Sequence, residues 1–319
     1  MSFVNDIKRI RSKMRFIEFE KNMNDEYAIV AYSVLELFNI MFNIEALVFY
    51  SFIDEVFRNQ VQIHKMYRFI GVLDCAISVA SLKHEHATIC EPRFCSKKEM
   101  EFMGLVHPLV DNCIPNDLQL KEESLLLTGS NMSGKTTFIR AVALSALSAQ
   151  TLNIAFANSF SLPFLKLYSS IRISDDLKES TSYYLKEVLV VKEFLEVSRE
   201  ETPCLFVMDE IFKGTNTVER IAGAKTILSF LNNSKNLVFV STHDIELAEL
   251  LIEEKFGLHH FSEQIVNGEL YFDHKLKAGS LKRRNAIKIL DIYDYPQSVV
   301  QEATTISKQL SSHLPLHDL

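Results

Sequence analysis

Apolar residues recur at three- and four-residue intervals through the first part of the chain, the rhythm of helices with one buried stripe. Residues 38–48 and 66–75 show it most clearly. Up to about residue 88 there is no proline and a single glycine, Gly71, so nothing punctuates these helices. Pro92, Gly104, Pro108 and Pro115 then cluster and mark a change to turns and short strands. From Leu125 onward, short apolar runs at 125–127, 204–208 and 237–241 alternate with helical stretches. That alternation predicts a mostly parallel sheet covered by helices. Asn267-Gly268, set between Gln264-Ile-Val and Glu269-Leu-Tyr-Phe, predicts a tight hairpin near the end of the sheet. The expected organisation is a helical segment over 1–100 followed by an α/β domain over 101–319.

The apolar stretch 28–53 raises the question of a membrane span. Glu36, Asn39, Asn43 and Glu45 interrupt it, and 36, 39 and 43 share one helical face. Burying those groups in lipid is costly, so a long helix packed against protein is expected instead. Residues 1–21 are charged and lack an apolar core, which argues against a signal peptide.

The most specific chemistry follows the run Leu125-Leu126-Leu127. Gly129-Ser-Asn-Met-Ser-Gly134-Lys135-Thr136 is G-x-x-x-x-G-K-[ST], a glycine loop between a buried strand and a helix beginning near Lys135. Backbone N–H groups of such a loop wrap the phosphates of a nucleotide, helped by the positive end of the helix. Gly129, Ser130, Asn131, Met132, Ser133, Gly134, Lys135, Thr136 and Thr137 are therefore the expected nucleotide-binding residues. Lys135 supplies charge to the β- and γ-phosphates, and the Thr136 hydroxyl is an expected Mg²⁺ ligand.

Two further elements end apolar strands. Asp209 closes the 204–208 run and is placed to hold Mg²⁺, while Glu210 is placed to polarise the water that attacks the γ-phosphate. His243, in Ser241-Thr-His-Asp, follows the next strand, where an imidazole can sense or stabilise the γ-phosphate. Glu210, His243 and Lys135 are the expected catalytic groups.

Charge and cysteine content sharpen this only a little. The net charge of −7 does not advertise a nucleic-acid surface, although a local patch can hide in an acidic total. Lys282-Arg-Arg284 is the one compact basic run and reads as a solvated turn. The five cysteines show no metal-ligand spacing and read as reduced thiols of a cytoplasmic protein.

At this point the residues resemble a known family. Leu127-Thr-Gly-Ser-Asn-Met-Ser-Gly-Lys-Thr-Thr-Phe-Ile-Arg140 is similar to the phosphate loop of MutS-family ATPases. Val106-His-Pro-Leu-Val110 and Ile114-Pro-Asn-Asp117 resemble the elements that precede that loop. Asp209-Glu-Ile-Phe-Lys-Gly-Thr-Asn-Thr217 looks like the Walker B segment and the loop behind it, and Ser241-Thr-His-Asp-Ile-Glu-Leu247 like the histidine switch. Asn285-Ala-Ile-Lys-Ile-Leu290, Tyr295-Pro296 and Val299-Val-Gln-Glu-Ala303 resemble the helical C-terminus, and Leu73-Asp-Cys-Ala-Ile-Ser-Val-Ala80 the helix joining the lever to the ATPase. The resemblance covers roughly residues 65 to 310.

What it implies is a P-loop NTPase sheet of the ABC type flanked by helices, with ATP and Mg²⁺ as ligands. It also implies a homodimer through the ATPase domains, in which each subunit reaches the other's nucleotide with a serine. Aligning Asp175-Asp-Leu and Glu187 places that serine at Ser182. Here the chain departs from the pattern, with Ser180 for the usual glycine and Tyr183 for the usual threonine; the alternative for Ser182 is a helix N-cap. Residues 1–60 show no counterpart of the mismatch-recognition domain, and Phe16-Ile-Glu18 and Phe52-Ile-Asp54 read as helix residues. The chain is thus expected to be either the ATPase half of a longer DNA-binding protein or a reduced paralogue. Two other classes remain open. A chromosome-maintenance head of the wider ABC type would show a long coiled coil, and a DNA-binding scaffold with ATP as structural ligand would have no need of Glu210.

Overall fold

The structure is a computed structural model that describes residues 37, 41–130, 132–171, 183–212, 215–266, 269–281 and 286–313. Two compact units divide it, Met1–Glu85 and His86–Leu319. In the first, helix α1 (Ile44–Arg58) and helix α2 (Gln60–Glu85) meet at Asn59, whose N–H and side-chain amide both donate to the Glu55 carbonyl, at 3.1 and 2.9 Å. That double bond ends α1 by satisfying one of its last carbonyls. Phe52 and Asp54 lie within α1, Asp54 in an exposed ion pair with Arg58, while Phe16–Glu18 lie outside the described residues. Among the described residues no helix is long and apolar enough to cross a membrane.

The second unit is α/β. Its main sheet has six strands: β4 (Ser124–Thr128), β6 (Lys166–Ser170), β7 (Cys204–Asp209), β8 (Leu237–Thr242), β9 (Phe256–His260) and β12 (Lys277–Ala278). The order is β12-β9-β4-β8-β7-β6, parallel throughout except for the edge strand β12. Runs such as Leu125-Leu126-Leu127 are apolar on every residue because both faces of this sheet are covered. Odd-numbered side chains (Leu125, Leu127, Val207, Phe239) enter one core with Phe138, Ile139 and Val142 of α3 (Lys135–Leu152). Even-numbered ones (Leu126, Phe206, Val238, Val240) enter the other. There they meet Phe194 of α4 (Tyr183–Val197), Leu228 of α5 (Thr217–Leu231) and Leu247 of α6 (Ile245–Leu251).

A second sheet, of order β1-β5-β2-β3, covers the α3 side, with β1 (Arg93–Cys95), β2 (Glu99–Leu105), β3 (Asn116–Lys121) and β5 (Ser159–Pro163). Sequence signals in this region predict short strands but not that β5, on the far side of α3, completes their sheet. Strands β10 (Glu263–Val266) and β11 (Glu269–Phe272) pair antiparallel with Val266 opposite Glu269; Asn267-Gly268, expected as the turn, lie outside the described residues. Helices α7 (Ala286–Ile292) and α8 (Gln297–His313) follow; Lys282–Arg284 lie outside the described residues.

Candidate nucleotide-binding site

Register sets the site. Thr128 stands opposite Thr242, and Asp209 opposite Ser241, so β4, β7 and β8 end together at one edge of the sheet. The carboxyl edge of a parallel sheet is where such folds bind ligands, because the strand-to-helix loops converge there. From β4 the chain turns at Gly129, with φ 151°, and a Cβ there would lie 2.8 Å from the Phe261 carbonyl oxygen. Only glycine fits. Met132 and Gly134 also have positive φ, 68° and 109°, and Ser133 Oγ donates to the Ser130 carbonyl at 2.8 Å. Gly129→Ala combines backbone clash with backbone strain, a cost on the order of 2–3 kcal/mol. The expected drop in melting temperature is roughly 4–10 °C, checked by calorimetry; an unchanged melt would mean the loop is not held against Phe261.

Lys135 opens α3 and is 5% exposed, with Nζ donating to the carbonyls of Gly129 and Ser130 at 2.8 and 2.9 Å. The ammonium is thus held inside the loop it serves. Thr136 Oγ1 donates to Asp209 Oδ2 at 2.8 Å, and Ser241 Oγ donates to the other Asp209 oxygen. Glu210, at φ 61°, sends its N–H to the Ser241 carbonyl at 3.0 Å and places Oε1 2.5 Å from His243 Nε2. Lys135 Nζ lies against the same ring, 3.4 Å from Nε2 and 3.5 Å from Nδ1. Lys135, Thr136, Asp209, Glu210 and His243 therefore meet at one point, although they come from the start of α3, the end of β7 and the turns after β7 and β8. Ser130, Gly134 and Thr137 line the same place, and Met132 is 83% exposed at the loop tip. Asn131 and Ser182 lie outside the described residues.

These residues fit a Mg²⁺–nucleotide pair. A hydroxyl and a carboxylate oxygen 2.8 Å apart match neighbouring ligands of a Mg²⁺ octahedron, whose edges are about 3 Å. Among the described residues no group of three His, Cys, Asp or Glu side chains forms a metal cage. Mg²⁺ needs none, since it is commonly held by one or two protein groups together with phosphates and water.

Beside the loop opens a cavity of about 610 Å³, the size of a small-molecule site. His107, Val110, Ile114, Phe261 and His274 line it together with the phosphate loop. His274 Nδ1 lies 3.0 Å from the Ser133 carbonyl oxygen. Asn116 holds the two walls together: its amide donates to Ile114 and His274 carbonyls at 3.1 and 3.0 Å and its oxygen accepts the Leu276 N–H at 2.7 Å. Burial, and then the Arg140 charge, push the His107 pKa down and keep the ring neutral at pH 7. His107 and Asn116 lie in the His-Pro and Pro-Asn-Asp segments but carried no assigned role in the sequence. His274 belongs to no motif at all. Its signal is its position two residues past the hairpin, and that reads as functional only once the hairpin is seen beside the loop.

Glu187 on α4 served the sequence comparison only as an alignment anchor, with no role of its own. It is 3% exposed, and its Oε1 accepts the Phe212 N–H at 2.6 Å. Burial, with the Glu210 charge behind it, raises its pKa against the opposing pull of that hydrogen bond. The carboxyl thereby steadies the turn that carries Glu210, from the helix immediately after Ser182.

A family profile for MutS domain V matches residues 125–311. The chain belongs to the MutS family. Domain V is that family's P-loop ATPase domain, and the six-stranded unit with its helices is its fold here, preceded by a helical segment. DNA mismatch repair protein MutS of Lactobacillus delbrueckii subsp. bulgaricus is 32% identical over 258 residues, 77% of this chain and 30% of that protein. MutS of Listeria innocua is 30% identical over 264 residues, and MutS of Staphylococcus carnosus 28% over 265, each covering 79% of this chain. The chain thus spans about 30% of the length of these MutS relatives.

Proposed function

We propose that this chain is a MutS-type ATPase that binds ATP and Mg²⁺ at a site completed by a second copy of the domain. Hydrolysis would drive movement of its helical arms during DNA mismatch repair or DNA-structure binding. The convergence of Lys135, Thr136, Asp209, Glu210 and His243 carries the reading. Thr136 and Asp209 would hold Mg²⁺, which offsets the negative charge of the β- and γ-phosphates. Lys135 reaches the same phosphates from inside the loop. Glu210 orients and polarises the attacking water, and His243, in contact with both Glu210 and Lys135, senses the γ-phosphate end. The cavity lined by His107 and His274 takes the nucleoside.

The helical segment ending at Glu85 acts in this scheme as lever and connector, and the α/β unit from His86 onward, which includes β1 and β2, as the ATPase. Loss of the γ-phosphate would release the dimer, so chemistry becomes motion. The five cysteines, all free, fit a reducing compartment such as the cytoplasm. Ser182 acts on the partner's nucleotide. Ser182→Ala is expected to lower turnover and ATP-induced dimerisation roughly tenfold while monomer binding stays the same. Unchanged turnover would return Ser182 to a helix cap.

The test is the ATPase rate per subunit against protein concentration, with and without duplex, mismatched and branched DNA. A rate that rises with concentration and responds to DNA supports the composite site. Turnover independent of both would overturn the dimer and DNA coupling, and no turnover at any concentration would overturn the ATPase itself.

A further inference from the structure

The segments that carry Glu210 and His243 are tied a second time, by two residues that do not line the cavity. Arg220, in the first turn of α5, makes a bidentate ion pair with Asp244: Nε to Oδ2 at 2.9 Å and Nη2 to Oδ1 at 2.8 Å. The two side chains are only 21% and 15% exposed, which distinguishes the pair from a solvated surface bridge. Asp244 occupies the N-cap position of α6 yet makes no side-chain capping bond. An aspartate there ordinarily caps the helix with its side chain; here both oxygens go to Arg220 instead. Its own N–H is held by Thr242 Oγ1 at 3.0 Å. The Asp244 hydrogen bonds hold the guanidinium above its usual pKa, and the Glu210 and Glu246 charges add to this.

Together these contacts close a ring. From Glu210 the chain runs to Arg220; Arg220 grips Asp244; Asp244 adjoins His243; and His243 returns to Glu210 at 2.5 Å. We propose that Arg220, through Asp244, is the positioning residue that holds His243 against Glu210 and Lys135, so that the clamp governs turnover rather than nucleotide affinity. The proposal rests on the ATPase reading for its effect on rate, but its structural content is independent of it. The physical ground is that catalytic groups displaced by an ångström lose on the order of 100-fold in rate, while phosphate-loop contacts on the far side of the site stay in place.

The test uses the full chain as Arg220→Ala, Asp244→Asn and the double variant, each checked by melting temperature and by affinity for a fluorescent ATP analogue. Each single variant is expected to lower kcat roughly 10- to 100-fold with KM and affinity within about twofold. The double variant should fall no further than the worse single, because both changes remove one interaction. Arg220→Lys, which keeps the charge but not the fork, should recover part of the loss and serves if Arg220→Ala does not fold. Multiplying losses, parental kcat in Arg220→Ala, or a loss carried by KM would each overturn the proposal. The imidazole NMR signals of His243, assigned by their disappearance in His243→Asn, give a second readout without ATP. They should shift in Arg220→Ala, and unmoved signals overturn the clamp. A parental protein with no turnover but a shifted His243 ring would defeat the ATPase reading and leave the clamp standing.

Discussion

Lys135→Ala is expected to abolish nucleotide binding. Two effects act together. The ammonium is the cation that the buried loop presents to the phosphates, and charge-assisted bonds of this kind are worth about 1.5–3 kcal/mol each. Two such bonds correspond to an affinity loss of at least about 100-fold. The second effect is on the protein alone. Nζ donates to the carbonyls of Gly129 and Ser130, at 2.8 and 2.9 Å, and so shapes the loop before a ligand arrives. Alanine leaves those carbonyls without that donor in a site where Lys135 itself is 5% exposed. Titration with a fluorescent ATP analogue measures the affinity, and circular dichroism separates lost binding from lost fold. A folded variant that binds within about threefold of the parent would remove Lys135 from the phosphate site.

Glu210→Gln is expected to leave binding intact, cut turnover by about two to four orders of magnitude, and trap the ATP-bound dimer. Glutamine keeps the shape of the side chain and an oxygen to face His243 Nε2, now at 2.5 Å from Glu210 Oε1. What it removes is the carboxylate that polarises water. The left-handed backbone at Glu210, φ 61°, is as accessible to glutamine as to glutamate, so the change is chemical rather than conformational. That backbone also explains why the side chain points where it does: a turn of this hand directly after β7 swings the residue out of strand register, and the Glu210 N–H bonded to Ser241 holds it there. Phosphate release and light scattering after size exclusion, each with ATP, make the measurement. Turnover at the parental rate would rule out the proposed role, and normal binding without a persistent dimer would break the link between the γ-phosphate and closure.

Much of the fold was legible because the relevant signals are local. Leu125–Leu127, Cys204–Met208 and Leu237–Val240 are apolar on consecutive residues, as strands covered on both faces must be, and each is followed within three residues by a proposed site residue: Gly129, Asp209 and His243. The glycine loop was legible for a similar reason: Gly129 has φ 151° and no room for a Cβ. Less accessible was the sheet β1-β5-β2-β3, whose strands come from either side of α3. Pairing between β2 and β5 is set by burial of Phe102 against Phe160, and neither residue announces the other.

By itself, then, the sequence determined the phosphate loop, the acidic and histidine strand ends, the alternating α/β plan and the family. Each of these is written in contiguous residues whose backbone geometry or periodicity has few alternatives. Tertiary structure alone decided the rest. It placed His243 between Glu210 and Lys135, brought Asn116 to the backbone of His274, joined Arg220 to Asp244 and buried Glu187 beneath the turn after β7. Those pairs depend on strand register and on which helix covers which face. Register is chosen by the packing of the whole core, so no local pattern around any one of these residues carries it.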